Sequence, residues 1–276
     1  IRGAALDVFE KEPLAQDHRL LRTPNLVVTP HLGASTKEAK RGVSLDMANQ
    51  IATCLKRGVV LNGINVPRIA PSEATMVGPY LDLVHNLASF LVQVFPGRVQ
   101  SLRLTLQGGV PESAASSLTV AMLSGALAHR LEGPVTPVNA RRLAEQHQIR
   151  VHTESSSMKR DFMNLVRVEA VLDEQRHQIS GTVLGQRHGR MVELDSFLLD
   201  AIPEGPALVT WHADRPGVLG ELGTALGRHA INIARVQLAE HDGQALGILN
   251  LSQPLTDDAF AAVASLPGIA VARAVV

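Results

Sequence analysis

Cysteine is almost absent from this 276-residue sequence: a single Cys54 rules out an internal disulfide, so apolar cores have to hold the fold. Cys54 falls among apolar residues of a helical pattern, which predicts a buried, inert thiol and fits a reducing cytoplasm. An excess of charge of either sign is missing as well. The 26 basic and 26 acidic residues cancel to a formal charge of zero, which leaves no electrostatic footprint for nucleic acid or an anionic membrane. No apolar run approaches the roughly 18 residues of a membrane-spanning helix. Internal repeats and low-complexity tracts are not evident. No His/Cys/Asp/Glu spacing matches a metal site. The glycine-rich turn G-x-G-x-x-G is also missing; Gly108-Gly109 and the Gly217–Gly220 segment do not sit between a strand and a helix in the way that turn requires.

Chemistry is concentrated near the start. Ala4 to Phe9 is a short apolar run, and Asn25 to Thr29 is a β-branched run stopped by Pro30; both read as strands of a buried parallel sheet. In open α/β sheets ligands sit beyond the carboxyl ends of strands. Asp7, Glu12 and His31 can therefore converge on one crevice although nineteen positions separate Glu12 from His31. A histidine near its ordinary pKa moves a proton at neutral pH, and a carboxylate on its second nitrogen fixes the tautomer and favours the imidazolium. By spacing alone, a histidine after a strand is more often a polar cap than a general base.

The strings GAALDVFEKEP and NLVVTPHLGAST, in that order and spacing, resemble the end of the nucleotide-binding domain of the D-isomer-specific 2-hydroxyacid dehydrogenases. The remainder narrows the resemblance to the long-form D-3-phosphoglycerate dehydrogenases. The resemblance implies NAD-dependent oxidation of 3-phosphoglycerate to 3-phosphohydroxypyruvate, the first step of L-serine synthesis. It implies that His31 is the acid/base and Glu12 its carboxylate partner, that Asp7 contacts the nicotinamide carboxamide, and that the turn His31-Leu32-Gly33-Ala34 lines the same ring. The family's pyrophosphate turn and substrate arginine are not in this sequence, so it is expected to be the latter part of a longer enzyme, inactive alone. A dehydrogenase for another D-2-hydroxy acid, or a regulatory and oligomerisation module without activity, are the competing readings.

The implied organisation is α/β and α+β multidomain: the end of a Rossmann-type domain (1–34), a return helix and tail of the substrate domain (35–67), an α+β intervening domain (68–204) and a ferredoxin-like ACT domain (205–276). Ser35 to Glu38 reads as a capping box opening a helix to about Arg57, with Val43, Met47, Ile51 and Leu55 on one apolar face. Val59 to Val66 reads as extended, and Pro67 to Pro71 as a linker. Apolar faces without partners predict that residues 1–67 are poorly stable alone.

Next come an amphipathic run (Leu81 to Val94), a strand (Ser101 to Leu106), a buried helix (Ala114 to Leu131) and a short helix from Ala140 capped by Asn139. Strands at Val151 to Glu154, Asn164 to Leu172, His177 to Leu184 and Met191 to Leu194 read as successive and antiparallel. TPVNA, TESSS, DFMNLV and SGTVLG carry the resemblance to the intervening domain, which in the family is proposed to bind an anion such as substrate. Lys159, Arg160 and Arg187 are the candidate contacts, with a solvated strand face as the alternative for arginine.

From Ala207 the order is βαββαβ. The string WHADRPGVLGELGTAL, followed by HAINIARV, resembles the ACT regulatory domain. Asp214 reads as the helix cap, with Gly217 allowing a ligand close to the backbone. The resemblance implies that His212, Asp214 and Asn232 contact L-serine across an ACT–ACT strand pairing, in a homodimer or homotetramer. Without it, Asp214 is an ordinary cap and Asn232 a turn residue.

Overall fold

The computed structural model describes residues 2–57, 60, 62–67, 69–70, 72–156, 163–185 and 187–276. The chain forms two compact units, residues 1–58 and 59–276.

In the first unit, β1 (Ala4–Leu6) and β2 (Leu26–Val28) pair in parallel, Ala4 opposite Leu26 and Leu6 opposite Val28. Between them runs a single turn of 3-10 helix, Arg19–Arg22. Helix α1 spans Lys37–Arg57. Its start differs from the capping box: the Thr36 hydroxyl, not that of Ser35, accepts from the Ala39 amide at 3.1 Å, because the helix begins one residue later and Thr36 takes the position before it. The apolar face is there, yet Val43, Met47, Ile51 and Leu55 are exposed, and Cys54 is only half-buried rather than buried. No described residue of this unit is buried. Val59 and Leu61 lie outside the described residues, and 62–66 forms bends instead of a strand.

The second unit has two sheets and two hydrophobic cores. Helix α2 (Ala74–Val94) begins seven residues before the amphipathic run, since its first turns are also apolar. Strand β3 (Val99–Gly108), α3 (Ala115–Ala128), α4 (Ala140–Gln146) and β4 (Arg150–Ser156) follow. Here β4 pairs with β3 in parallel, Leu102 opposite Val151, so it is not the antiparallel strand that its pattern suggested. A connection long enough to hold two helices returns the chain in its original direction. Strands β5 (Asn164–Leu172), β6 (Gln175–Leu184), β7 (His188–Leu194) and β8 (Phe197–Ala201) are antiparallel in succession, giving the order β4-β3-β5-β6-β7-β8.

Asn139 does not cap α4: its carboxamide accepts from the Thr136 amide at 2.7 Å and donates to the Pro134 carbonyl at 3.0 Å, which closes the turn before the helix instead. Helices α2 and α3 cross at Gly125, where any Cβ would lie 2.1 Å from the His85 carbonyl oxygen. Only glycine permits that approach.

The second sheet is built from β9 (Ala207–Ala213), α5 (Val218–Arg228), β10 (Ile233–His241), β11 (Gln244–Leu251), α6 (Asp257–Ala264) and β12 (Ile269–Val275), in the order β10-β11-β9-β12, all antiparallel. Residues on β9 alternate between two cores. Leu208 packs with Val218, Leu222, Leu226 and Val263 beneath α5 and α6. Val209, Ile248 and Val275 join Leu87, Leu91, Leu104 and Val168, so the helix-free face of this sheet closes over α2. Polar ties reinforce that seam: Gln93 and the backbone of Val276 exchange hydrogen bonds at 2.9 and 3.2 Å, and Arg273 donates to the Val94 carbonyl at 3.2 Å.

Candidate active site and effector region

The parallel pair β1/β2 delivers two loops to one place. Asp7, just past β1, accepts from the Thr29 hydroxyl at 2.5 Å and from the amides of Leu32 and Gly33 at 2.7 and 2.8 Å. The loop after β2 is thereby latched onto the loop after β1. These bonds, led by that from Thr29, hold the Asp7 carboxyl below its ordinary range. His31 sits within the latched turn at φ +57°, a left-handed conformation that costs a non-glycine residue some strain and that the flanking hydrogen bonds sustain.

Glu12 receives the Phe9 amide on one oxygen at 3.0 Å, and its other oxygen meets His31 Nδ1 at 2.7 Å. That contact lowers the Glu12 pKa and raises that of His31. Nδ1 thus faces the carboxylate, and Nε2 is left for another partner. The imidazole remains 57% exposed and borders a pocket of about 370 Å³ lined by Phe9, Leu14, Leu21, Val28 and Pro30. A mostly apolar cavity with one acid/base group at its rim suits a small hydroxy acid or a flat ring. The structure therefore brings Asp7, Glu12, His31, Leu32 and Gly33 together. What the sequence reading missed is that Asp7 spends its hydrogen-bonding capacity on the turn that carries the histidine, with Thr29 as its strongest partner.

The residues singled out in the second unit are less concentrated. His212, 6% exposed, lies on β9 opposite Ala245 and Ile269; its Nδ1 is 3.0 Å from the Ala213 carbonyl, and its Nε2 has no partner among the described residues. Asp214 is exposed and is not the cap of α5, a position held by Gly217 at φ +97°. The motif's arginine holds the loop in its place: Arg215 grips the Glu221 carboxylate at 2.9 Å and the Pro267 carbonyl at 2.7 Å. Asn232 stands just before β10, its carbonyl bonded to the Ser252 amide at 2.9 Å. That is the far end of the sheet, since β10 pairs Ile233 with Leu251 while His212 lies level with Ala245 and Glu240. Seven residues of strand, about 23 Å, separate the two ends. Within one chain His212 and Asp214 stand at one end of the sheet and Asn232 at the other. Lys159 and Arg160 lie outside the described residues; Arg187 is exposed at a turn, its amide bonded to the Leu184 carbonyl.

Comparison with known proteins accounts for these parts. Residues 1–33 match the family described as D-isomer specific 2-hydroxyacid dehydrogenase, NAD binding domain, residues 76–195 the D-3-phosphoglycerate dehydrogenase intervening domain, and residues 207–268 the ACT domain. In three successive regions the chain is similar to D-3-phosphoglycerate dehydrogenases. Proteins of that description from Synechocystis, Methanocaldococcus jannaschii and Bacillus subtilis are 35%, 32% and 32% identical, each over 98% of this chain. The matched regions are 49%, 51% and 51% of those relatives, so the chain spans about half their length. The matched regions cover the latched His31 turn, the six-stranded sheet as far as β7 and the ACT sheet as far as α6. Among the described residues no helix is long and apolar enough to cross a membrane, and none form a group able to hold a metal ion.

Proposed function

We propose that this chain supplies the acid/base half of an NAD-dependent D-3-phosphoglycerate dehydrogenase that oxidises 3-phosphoglycerate to 3-phosphohydroxypyruvate, with L-serine as effector of its ACT region. The observation that carries the reading is the His31–Glu12 contact of 2.7 Å on a turn latched by Asp7.

NAD, when bound, supplies the hydride acceptor. The residues present suit the reacting end of that cofactor: an apolar pocket beside the imidazole, in a turn whose Leu32 and Gly33 amides are held by Asp7. His31 Nε2 takes the proton of the substrate hydroxyl as the carbon loses hydride. Glu12 keeps the other nitrogen protonated and stabilises the imidazolium that forms. In the reverse direction the same imidazolium returns the proton.

The sign of the pH dependence follows. Oxidation needs the neutral imidazole, and Glu12 raises the His31 pKa, so the rate of oxidation climbs as pH rises through that raised value. In the active enzyme, His31→Gln lowers turnover by about 10²–10⁴ with NAD affinity retained. Unchanged turnover rejects the assignment. The supporting arguments for serine are the ACT match and a buried histidine whose Nε2 is unpaired beside an exposed carboxylate. Because Asn232 lies at the other end of the sheet, one serine reaches all three residues only between two ACT domains. This supports an effector site shared between chains of a homo-oligomer, in which Asp214→Ala weakens the serine response while basal activity stays.

A further inference from the structure

Thr29 is the last residue tied to β1 before the His31 turn begins. Its amide donates to the Leu6 carbonyl at 3.0 Å, one rung beyond the pairing of Leu6 with Val28, and its hydroxyl donates to the neighbouring Asp7 at 2.5 Å. Two groups of one residue thus grip two successive residues of the opposite strand end. A hydroxyl given to a carboxylate at this distance belongs to the stronger class of hydrogen bond. The β-branch of threonine also restricts χ1, so the hydroxyl is aimed before the loop closes.

What that bond holds is the turn. The Asp7 oxygen that accepts from Thr29, Oδ1, also accepts from the Leu32 amide at 2.7 Å, while Oδ2 accepts from the Gly33 amide at 2.8 Å. Pro30 has no N–H, so its backbone cannot donate to β1. One oxygen therefore joins the residues on either side of the Pro30-His31 step, and His31, at φ +57°, is bracketed between them. A Cβ at Gly33 would stand 3.3 Å from Oδ2, so the turn lies close over the carboxylate. With both flanks fixed, the imidazole meets Glu12, itself held by the Phe9 amide, at 2.7 Å. Thr29 borders the pocket beside His31, but its single hydroxyl proton is engaged by Asp7, so it acts on the site through that carboxylate.

We propose that Thr29 is a positioning residue for proton transfer: its hydroxyl, acting through Asp7, keeps the His31 turn in register with Glu12. The proposal rests on the reading of His31 as the acid/base. Thr29→Val keeps the β-branch and removes the bond, whereas Thr29→Ser keeps the bond and removes the branch. Among the described residues the charged groups facing the imidazole are Glu12 and Asp7, and a loosened turn carries His31 away from both.

The test compares the two variants in the whole chain by NMR. In Thr29→Val the Leu32 and Gly33 amides exchange at least about tenfold faster, the scale of losing one hydrogen bond to a charged group. His31 then titrates closer to the ordinary histidine value, because its contact with Glu12 slackens. Thr29→Ser keeps both close to the parent. In the active enzyme, Thr29→Val lowers kcat by about ten- to a hundredfold and moves the rising limb of the oxidation rate to lower pH, and Thr29→Ser restores both. Unchanged amide shifts along Ala4–Leu6 and Leu26–Val28 separate a loosened turn from a lost strand pair. A Thr29→Val chain whose Leu32 and Gly33 amides and His31 titration match the parent overturns the inference. So does loss of the strand pair, which would assign the hydroxyl to the fold, or a Thr29→Ser chain that behaves like Thr29→Val. Turnover of His31→Gln judges the acid/base reading separately, so either can fail without the other.

Discussion

The two units of this chain invest their apolar residues in opposite ways. In residues 1–58 Leu6, Val27, Val43, Ile51 and Leu55 are exposed, and the order of the His31 turn comes from polar bonds to Asp7 and Glu12. In residues 59–276 Leu87, Leu91, Leu102, Leu104, Leu123 and Leu127 have essentially no exposed surface, and one core runs from the six-stranded sheet through α2 to the ACT sheet. The lesson is that chemical competence and stability reside in different parts of the sequence. A proton-transfer pair can be positioned by short-range hydrogen bonds alone. Two sheets joined through one helix need continuous packing.

The comparison breaks most visibly in the core. Leu87→Ala is expected to lower the unfolding free energy of the second unit by about 2–5 kcal/mol, read by denaturant titration. Leu55→Ala, a change of the same size on exposed α1, is expected to stay within about 0.5 kcal/mol. Equal costs would show that α1 is packed as tightly as α2. Between these extremes, Gly125→Ala forces α2 and α3 apart at His85 and costs about 1–3 kcal/mol, occasionally more. The finest probe is Asp7→Asn: it leaves the core untouched, so amide exchange accelerates at Leu32 and Gly33 while β3 and β5 keep their protection. Acid acts in the same direction. The Asp7 carboxyl titrates below its ordinary value, so the latch is intact above the usual carboxylate range and is lost as pH falls through the lowered value.

Much of this architecture was readable before any coordinates. The βαββαβ order of the ACT region follows from clean alternations of period and well-marked turns, and the structure has that order from Ala207 onward. The Glu12–His31 pair was legible because both ends of the motif stand at strand termini. The direction of β4 was not, since alternation says which face a residue takes and nothing about which way the strand runs. β8 was missed because Phe197 to Ala201 is only five residues long. The caps failed at Ser35, Asn139 and Asp214 for a shared reason: a short polar side chain near a helix start has several backbone partners within reach, and composition does not choose among them. Separation of His212 from Asn232 emerged only once the register of β10, β11 and β9 was known.

The measurement that tests the central claim most directly is the titration of the His31 ring by NMR, in the parent chain and in Glu12→Gln. The account predicts a pKa above the ordinary histidine value in the parent and a fall toward that value once the carboxylate is gone, with the amides of Leu32 and Gly33 unmoved because Asp7 still holds them. A His31 that titrates at the ordinary value in both proteins would contradict it.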